Sequence, residues 1–130
     1  MYSVKIRDSA MIAHSLGDPV FGPAQNLHGA TFIVDVEFVA STLDRHNVVI
    51  DICHAREIVN RVLEKLKYRN LDELSEFAGE ITTAEFVARH IHDRVREELA
   101  DGFLGHINVV IQETHDAWVS YSGIAHGSTG

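Results

Sequence analysis

The sequence predicts an α+β protein in which two helices cover one face of a four-stranded antiparallel sheet. Three observations lead to this fold class. Two long segments at the start of the chain alternate apolar and polar residues, as half-buried strands do. Two central segments repeat apolar residues at the spacing of amphipathic helices. Two further alternating segments follow, so the element order is ββααββ and the helices form one layer of a two-layer sandwich.

The first strand is predicted over about residues 2–14, and every second residue of it is expected to face the helices. The inward residues are Tyr2, Val4, Ile6, Ala10, Ile12 and His14. Asp8 and Ser9 interrupt the alternation, which predicts a bulge there. The loop over residues 15–27 contains glycine and proline and is longer than a tight hairpin needs. Loops of this length often carry function.

The second strand is predicted over about residues 28–39, with Asp35 and Glu37 on its outward face. The first helix is predicted over about residues 52–68, with Asp51 as its N-cap. Its apolar stripe consists of Ile58, Val59, Val62, Leu63 and Leu66.

The second helix begins at Thr82-Thr-Ala-Glu85, a capping-box pattern, and runs to about Leu99. The third strand, about residues 106–115, and the fourth, about 117–122, form a hairpin because almost nothing separates them. We therefore expect a single domain over residues 1–122 and a flexible tail over 123–130. An open four-stranded sheet has two free edges, which favours a homo-oligomer.

Composition excludes several classes of protein. The 130 residues are 45% hydrophobic and 23% charged, as in an ordinary single globular domain. No apolar run approaches the roughly 18 residues of a membrane helix, so no membrane partner is expected. The net charge of −8 leaves no basic stripe for nucleic acid. The single cysteine, Cys53, indicates a reducing compartment, and we expect the protein to be cytoplasmic.

Three of the nine histidines are predicted to converge at one end of the sheet. If the strand order is 1-2-3-4, His14 ends the first strand, His28 starts the second and His115 ends the third, all with inward parity. Three imidazoles so placed suit a catalytic zinc with an open fourth position. The alternative is that each histidine makes an ordinary hydrogen bond at a strand end. The other histidines are interpreted as solvated or incidental; they are His46, His54, His90, His92, His106 and His126.

Several short motifs occur in a fixed order from about Tyr2 to Tyr121. They are Ala13-His14-Ser15-Leu16, Leu27-His28-Gly29, Val49-Ile50-Asp51, Leu66 with Arg69-Asn70-Leu71, Thr83-Ala84-Glu85, and Glu113-Thr114. In order, spacing and predicted secondary structure, the chain resembles the 6-pyruvoyltetrahydropterin synthase and 6-carboxytetrahydropterin synthase family. Each motif is weak alone, and the set is specific.

The resemblance implies a tunnelling fold (T-fold), with trimers that close a barrel and often pair into hexamers. It implies a pterin site between subunits, in which Glu113 anchors the pterin ring and Thr83 and Gln25 contribute to substrate binding. A carboxylate presents two acceptors to two parallel donors of the ring. The implied chemistry is that of a zinc-dependent lyase acting on 7,8-dihydroneopterin triphosphate, with Zn²⁺ holding and acidifying the side-chain hydroxyls.

The chain departs from the family pattern at three functional positions. The zinc motif His-Gly-His reads His28-Gly29-Ala30, the position of the catalytic cysteine is Ala24, and the Asp-His pair is replaced by Lys67-Tyr68.

Three hypotheses follow from these departures. In the first, the site is rebuilt: His115 replaces the missing ligand, Tyr68 transfers a proton and Lys67 contacts a phosphate. In the second, the protein only binds a pterin or related ring through Glu113. In the third, the fold serves as a scaffold without a ligand. The rebuilt lyase is the leading hypothesis because His14 and Glu113 are retained.

Overall fold

The computed structural model describes residues 1–99 and 102–125 and confirms the α+β class. Its strands are β1 (Tyr2–His14), β2 (His28–Ala40), β3 (Arg69–Asn70), β4 (His106–Thr114) and β5 (Ala117–Ile124). Its two α-helices are α1 (Ile52–Glu64) and α2 (Ala84–Glu98), and short 3-10 segments cover Pro19–Gln25, Leu71–Glu73 and Ser75–Phe77. Strand β5 continues to Ile124, past the predicted domain end at residue 122, and residues 126–130 of the predicted tail lie outside the described residues. No helix in the described part of the chain is long and apolar enough to cross a membrane.

The strands form one sheet in the order β3-β1-β2-β4-β5. Strands β1 and β2 pair antiparallel without interruption, from Tyr2 opposite Ala40 to His14 opposite His28. The bulge predicted at Asp8 and Ser9 is therefore absent, because Asp8 stays in register. Its carboxylate forms an ion pair with Lys67, whose Nζ lies 3.2 Å from Asp8 Oδ2. A charged partner thus accommodates this polar residue on the inward face.

The segment after α1 differs from its prediction. Helix α1 ends at Glu64 rather than near residue 68, and Tyr68 adopts a positive φ of 60° that reverses the chain. The Tyr68 backbone N–H donates to the carbonyl oxygen of Met11 at 2.7 Å. The next two residues pair parallel with β1 as strand β3, which the predicted four-stranded sheet lacks. A two-residue strand is too short to leave an alternating pattern in a sequence.

The start of α2 is shifted by one residue from the predicted capping box. The N-cap is Thr83, whose hydroxyl accepts from the backbone N–H of Phe86 at 3.2 Å. Thr82 is fully buried, and its hydroxyl is engaged elsewhere. For α1, the predicted cap is confirmed, because Asp51 accepts from the N–H of Cys53.

The core lies between the helices and the inward sheet face. Its fully buried strand residues include Val34, Val36, Phe38, Ile107, Val109 and Ile111, and its helix residues include Ile58, Val59, Leu63, Val87 and Ile91. Two histidines interpreted as solvated belong to this region. His92 is buried, and its ring centroid lies 4.8 Å from that of Tyr121. His90 is half-buried, and its ring centroid lies 4.6 Å from that of Phe77. His126 lies outside the described residues.

Gly105 allows the chain to pass closely over the end of β2. A Cβ at this position would lie 1.8 Å from the carbonyl oxygen of Val39, a contact that only backbone movement could relieve. We expect Gly105→Ala to lower the free energy of unfolding by about 2 kcal/mol or more. A Cβ at Gly17 would meet no atom within 4 Å beyond its chain neighbours, so Gly17→Ala should change that free energy by less than about 1 kcal/mol. Urea unfolding of both variants checks this, and equal effects would contradict the packing described.

Candidate functional site

A pair of histidines forms the centre of the candidate site. His14 is the last residue of β1, His28 is the first residue of β2, and the two are directly opposite in the register. Directly opposite residues project to the same side of a sheet. The ring centroids lie 4.6 Å apart at an interplanar angle of 62°. His14 is 1% exposed and His28 is half-buried, so the pair opens toward solvent on the His28 side.

Each ring of the pair is anchored at Nδ1 by a backbone carbonyl. The distance from His14 Nδ1 to the carbonyl oxygen of Thr82 is 2.8 Å, and from His28 Nδ1 to that of Asn26 it is also 2.8 Å. A carbonyl oxygen only accepts, so each Nδ1 carries the hydrogen and a neutral ring has its lone pair on Nε2. Histidines that bind metals are oriented in this way by a second hydrogen bond. Both side chains are therefore prepared to donate the Nε2 lone pair to a metal ion.

The electrostatic environment keeps His14 neutral. Burial lowers the pKa of His14 because the charged ring loses hydration, and nearby His28 lowers it further. The hydrogen bond to Thr82 and the carboxylates of Asp72 and Glu113 act in the opposite direction without outweighing burial. A neutral imidazole is the form that ligates a metal.

Glu113 lies at an irregularity in β4 and acts electrostatically on His14. The β4–β5 register shifts by one residue between Gln112 and Thr114, which places a β-bulge at Glu113. Bulges re-aim side chains and are frequent beside active sites. Glu113 is exposed, and its carboxylate is close enough to His14 to raise that pKa. Because Glu113 is exposed, its carboxylate can accept hydrogen bonds from a ligand.

His115 is not brought to the other two histidines within one chain. It lies in the turn between β4 and β5, and its side chain is 94% exposed. Pairing between β2 and β4 stops at Ile33 opposite Gln112, so neither His28 nor His115 occupies a paired position of these two strands. Among residues 1–99 and 102–125, no group of three or more His, Cys, Asp or Glu is arranged to hold a metal. The three-histidine metal site stays a prediction; His14 and His28 are the two of its members that the structure places in contact.

Lys67 and Tyr68 also lie apart from the pair in one chain. Lys67 is engaged with Asp8, which is six residues, or roughly 20 Å, from His14 along β1. Tyr68 is 83% exposed, and its backbone N–H donates to the carbonyl oxygen of Met11, which is three residues, or roughly 10 Å, from His14 along β1. Their predicted catalytic roles remain predictions, and neither residue contacts His14 or His28 through a hydrogen bond among the described side chains.

Thr83 and Gln25 make local hydrogen bonds. The Thr83 hydroxyl caps α2, and Gln25 donates from Nε2 to the carbonyl oxygen of Gly22 at 3.0 Å. Thr83 nevertheless follows Thr82, which contacts His14, and Gln25 belongs to the loop that leads to His28. Their roles in substrate binding stay predictions.

Asp72 is the site residue that the sequence does not indicate. Its Oδ2 accepts from the backbone N–H of Ser15 at 2.8 Å and from the Ser15 hydroxyl at 2.6 Å. Its Oδ1 accepts from the hydroxyl of Thr82 at 3.2 Å. Asp72 follows β3, and without that strand nothing in the sequence places it beside His14. Its position two residues after the Arg69-Asn70 motif is the only signal that could direct attention to it.

Comparisons with known proteins agree with this architecture. A family model described as 6-pyruvoyl tetrahydropterin synthase matches residues 3–124. The structure of Caenorhabditis elegans 6-pyruvoyl tetrahydropterin synthase is similar, with 22% identity, a TM-score of 0.84, and coverage of 94% of this chain and 95% of that one.

Two more distant structures share the fold. The Plasmodium falciparum 6-pyruvoyl tetrahydropterin synthase has 15% identity, a TM-score of 0.80, and coverage of 95% and 98%. An uncharacterized protein from Wolinella succinogenes has 15% identity, a TM-score of 0.71, and coverage of 92% and 97%. At these identities the likeness establishes the fold. No curated protein sequence matches the chain.

The burial of His14 predicts a pH effect in the metal-free protein. Its pKa in the folded state lies below the ordinary value of about 6.5, so the unfolded chain takes up the proton first as the pH falls. The contribution of His14 to stability is therefore complete above about pH 6.5 and decreases below it. An NMR titration of the ring signals, assigned by their loss in His14→Gln, should give a midpoint below 6.5. A midpoint at or above 6.5 would contradict the burial argument.

Proposed function

We infer the function from one premise: the chain belongs to the 6-pyruvoyl tetrahydropterin synthase family, since that family's model spans nearly all of it. Membership places it among enzymes of pterin metabolism and their relatives. We propose that it is a zinc-dependent lyase acting on 7,8-dihydroneopterin triphosphate or a related pterin, with a rebuilt catalytic site. The observation that carries this proposal is the His14–His28 pair, with both Nε2 atoms available, beside Glu113.

The pair provides two of the three protein ligands expected for a catalytic zinc. His14 and His28 would hold the ion, and Ala30 stands where the family has its third ligand. When bound, Zn²⁺ supplies Lewis acidity that lowers the pKa of a hydroxyl on it. We propose that His115 completes the set if a neighbouring copy supplies it, since its exposed place in a hairpin turn leaves it free to contact another subunit.

Glu113 orients the substrate in this proposal. Its carboxylate accepts from the exocyclic amine and the ring N–H of a pterin, two parallel donors that match its two oxygens. The bulge takes Glu113 out of a regular cross-strand pair, which supports a role for its carboxylate in ligand binding. The ring is then held so that its side chain extends toward the histidines, with Thr83 and Gln25 lining the approach.

Proton transfer requires residues that one chain does not bring to the pair. The Tyr68 phenol is exposed, and we propose that it contributes to the site of a neighbouring copy in a homo-oligomer, a trimer or a hexamer. A tyrosine can act as a general acid or base when its environment tunes it. Lys67, beside it, would offer positive charge to a substrate phosphate once released from Asp8. The cytoplasm, which the single cysteine favours, is the compartment we propose.

A second candidate function is pterin binding without catalysis, with a ligand-free scaffold as its limiting case. The observations that favour it are Ala24 and Ala30 at two family positions, and the Lys67–Asp8 ion pair, which occupies one proposed catalytic group. Both functions retain Glu113 as the anchor, so turnover rather than affinity distinguishes them.

Replacing Glu113 tests the pterin site. We expect Glu113→Ala to weaken binding of dihydroneopterin by about 30- to 150-fold, equivalent to about 2–3 kcal/mol, because two charge-assisted hydrogen bonds are lost. Asp116→Asn is the matched control, since Asp116 is an exposed carboxylate in the adjacent turn. Fluorescence titration gives both affinities. Equal affinities of Glu113→Ala and the unmodified protein would rule out this anchor.

Turnover tests the lyase proposal. The zinc-loaded protein is expected to change the absorbance spectrum of 7,8-dihydroneopterin triphosphate, and His14→Gln should lose both bound zinc and this activity. His54→Gln, at an exposed histidine on α1, should retain both. Zinc is measured by elemental analysis per chain. Pterin binding with intact substrate would establish the non-catalytic alternative, and absence of pterin binding would leave the scaffold.

A further inference from the structure

Arg69 is held beside the candidate site by the two-residue strand β3. It is the partner of Ile12 in the parallel pairing of β3 with β1, and His14 follows Ile12 by two residues on the same strand. Ile12 and His14 share the inward face, because side chains alternate along a strand. With neighbouring strands about 4.8 Å apart and a rise of about 3.3 Å per residue, the Cα atoms of Arg69 and His14 are separated by roughly 8 Å.

The Arg69 guanidinium is a free positive charge at this end of the sheet. Its side chain is exposed, and in the described part of the chain it forms neither an ion pair nor a hydrogen bond. Asp72, the nearest acidic residue along the chain, is engaged elsewhere, since its oxygens accept from Ser15 and Thr82. Five other basic residues do form ion pairs with carboxylates; they are Arg7, Arg61, Lys67, Arg89 and Arg94. The N–H donors of Arg69 are therefore available to a ligand.

Lys67, two residues earlier, is less available to an anion. Its Nζ lies 3.2 Å from Asp8 Oδ2, and its side chain is only 25% exposed. A contact between Lys67 and a phosphate would break this ion pair and leave the Asp8 carboxylate unpaired on the inward face. Arg69 needs no such rearrangement. The structure thus favours Arg69 over Lys67 as the group that binds an anionic part of a ligand.

The charge of the chain makes a local cation important for any anionic substrate. The net charge is −8, and the carboxylates of Asp72 and Glu113 both act on His14. These negative charges repel a polyphosphate unless a fixed positive charge offsets them. A guanidinium suits that role because it stays charged and presents paired N–H donors that match phosphate oxygens.

We propose that Arg69 is a specificity-determining residue that binds the phosphate groups of the substrate, so that the site prefers a phosphorylated pterin to the same pterin without phosphate. This inference rests on the proposed function, in which the side chain of the pterin extends toward His14 and His28. It selects one substrate class among those that the proposed function leaves open. Arg69 takes no part in bond making or breaking, so its effect is on affinity.

The test compares two ligands that differ only in their phosphates. Neopterin triphosphate and neopterin are the probes, because these oxidised pterins are fluorescent and are not the proposed substrate. Fluorescence titration is carried out on the unmodified protein, Arg69→Gln, Arg69→Lys and Arg56→Gln. Arg56 is the matched control, since it is an exposed arginine of α1 without an ion pair among the described residues. Thermal unfolding checks that each variant keeps its fold.

We expect the unmodified protein to bind neopterin triphosphate at least about 10-fold more tightly than neopterin. Arg69→Gln should weaken binding of the triphosphate by about 10-fold and leave binding of neopterin unchanged. Arg69→Lys should cause a smaller loss, because an ammonium keeps the charge but cannot form the paired hydrogen bonds. Arg56→Gln should match the unmodified protein with both ligands.

The outcomes separate this inference from the proposed function. If neopterin binds and its triphosphate binds no more tightly, the role of Arg69 is wrong and the pterin proposal stands. If Arg69→Gln weakens both ligands equally, or Arg56→Gln has the same effect as Arg69→Gln, the phosphate-specific role is overturned. If neither pterin binds, the pterin proposal is wrong, and calorimetric titration with inorganic triphosphate decides the role of Arg69. Binding that Arg69→Gln loses and Arg56→Gln retains would support the anion site, and absence of binding would overturn it.

Discussion

The register between β1 and β2 is the constraint on which the rest of the molecule depends. Thirteen residues of each strand pair without a slip, and the last pair is His14 with His28. Because the side-chain period of a strand is two, a shift of one residue would send one histidine to the opposite face and move all of the core-facing residues of that strand to the solvent face. The hydrophobic core therefore fixes the geometry of the polar site at its end. Burial of Phe32, Val34, Val36 and Phe38 makes the slipped arrangements unfavourable.

Much of this arrangement can be predicted because it follows from periodicity. The bounds of β1 and the start of β2 agree with the alternation, and the inward parity of His14 follows from that of Ile12 and Ala10. Long alternating segments with one buried face specify register strongly. The pairing of His14 with His28 can be predicted from the sequence for this reason. The position of His115, in contrast, depends on how far β4 continues alongside β2. The point at which β4 ends is set by the hairpin turn, and the alternation of apolar and polar residues does not predict where that turn begins.

The features that could not be predicted depend on single contacts between distant parts of the chain. The broken alternation predicts a bulge at Asp8, but the ion pair with Lys67 keeps that residue in register. The bulge occurs instead at Glu113, where the pattern is regular. Similarly, Asp72 reaches Ser15 only because β3 runs beside β1. The positions of Asp8 and Asp72 each rest on one tertiary interaction, which leaves no periodic trace in the sequence.

Tyr68 adopts a backbone conformation that is unfavourable for a residue with a side chain. A left-handed conformation at a residue with a Cβ is unfavourable by about 1 kcal/mol or more, and glycine would adopt it freely. The ring gains little from packing in exchange, since it is mostly exposed. Within the chain, the cost is offset by the hydrogen bond from the Tyr68 N–H to Met11 and by the pairing of the next two residues with β1. Glycine at this position would keep the reversal of the chain without that cost, so the tyrosine is not explained by the stability of the single chain.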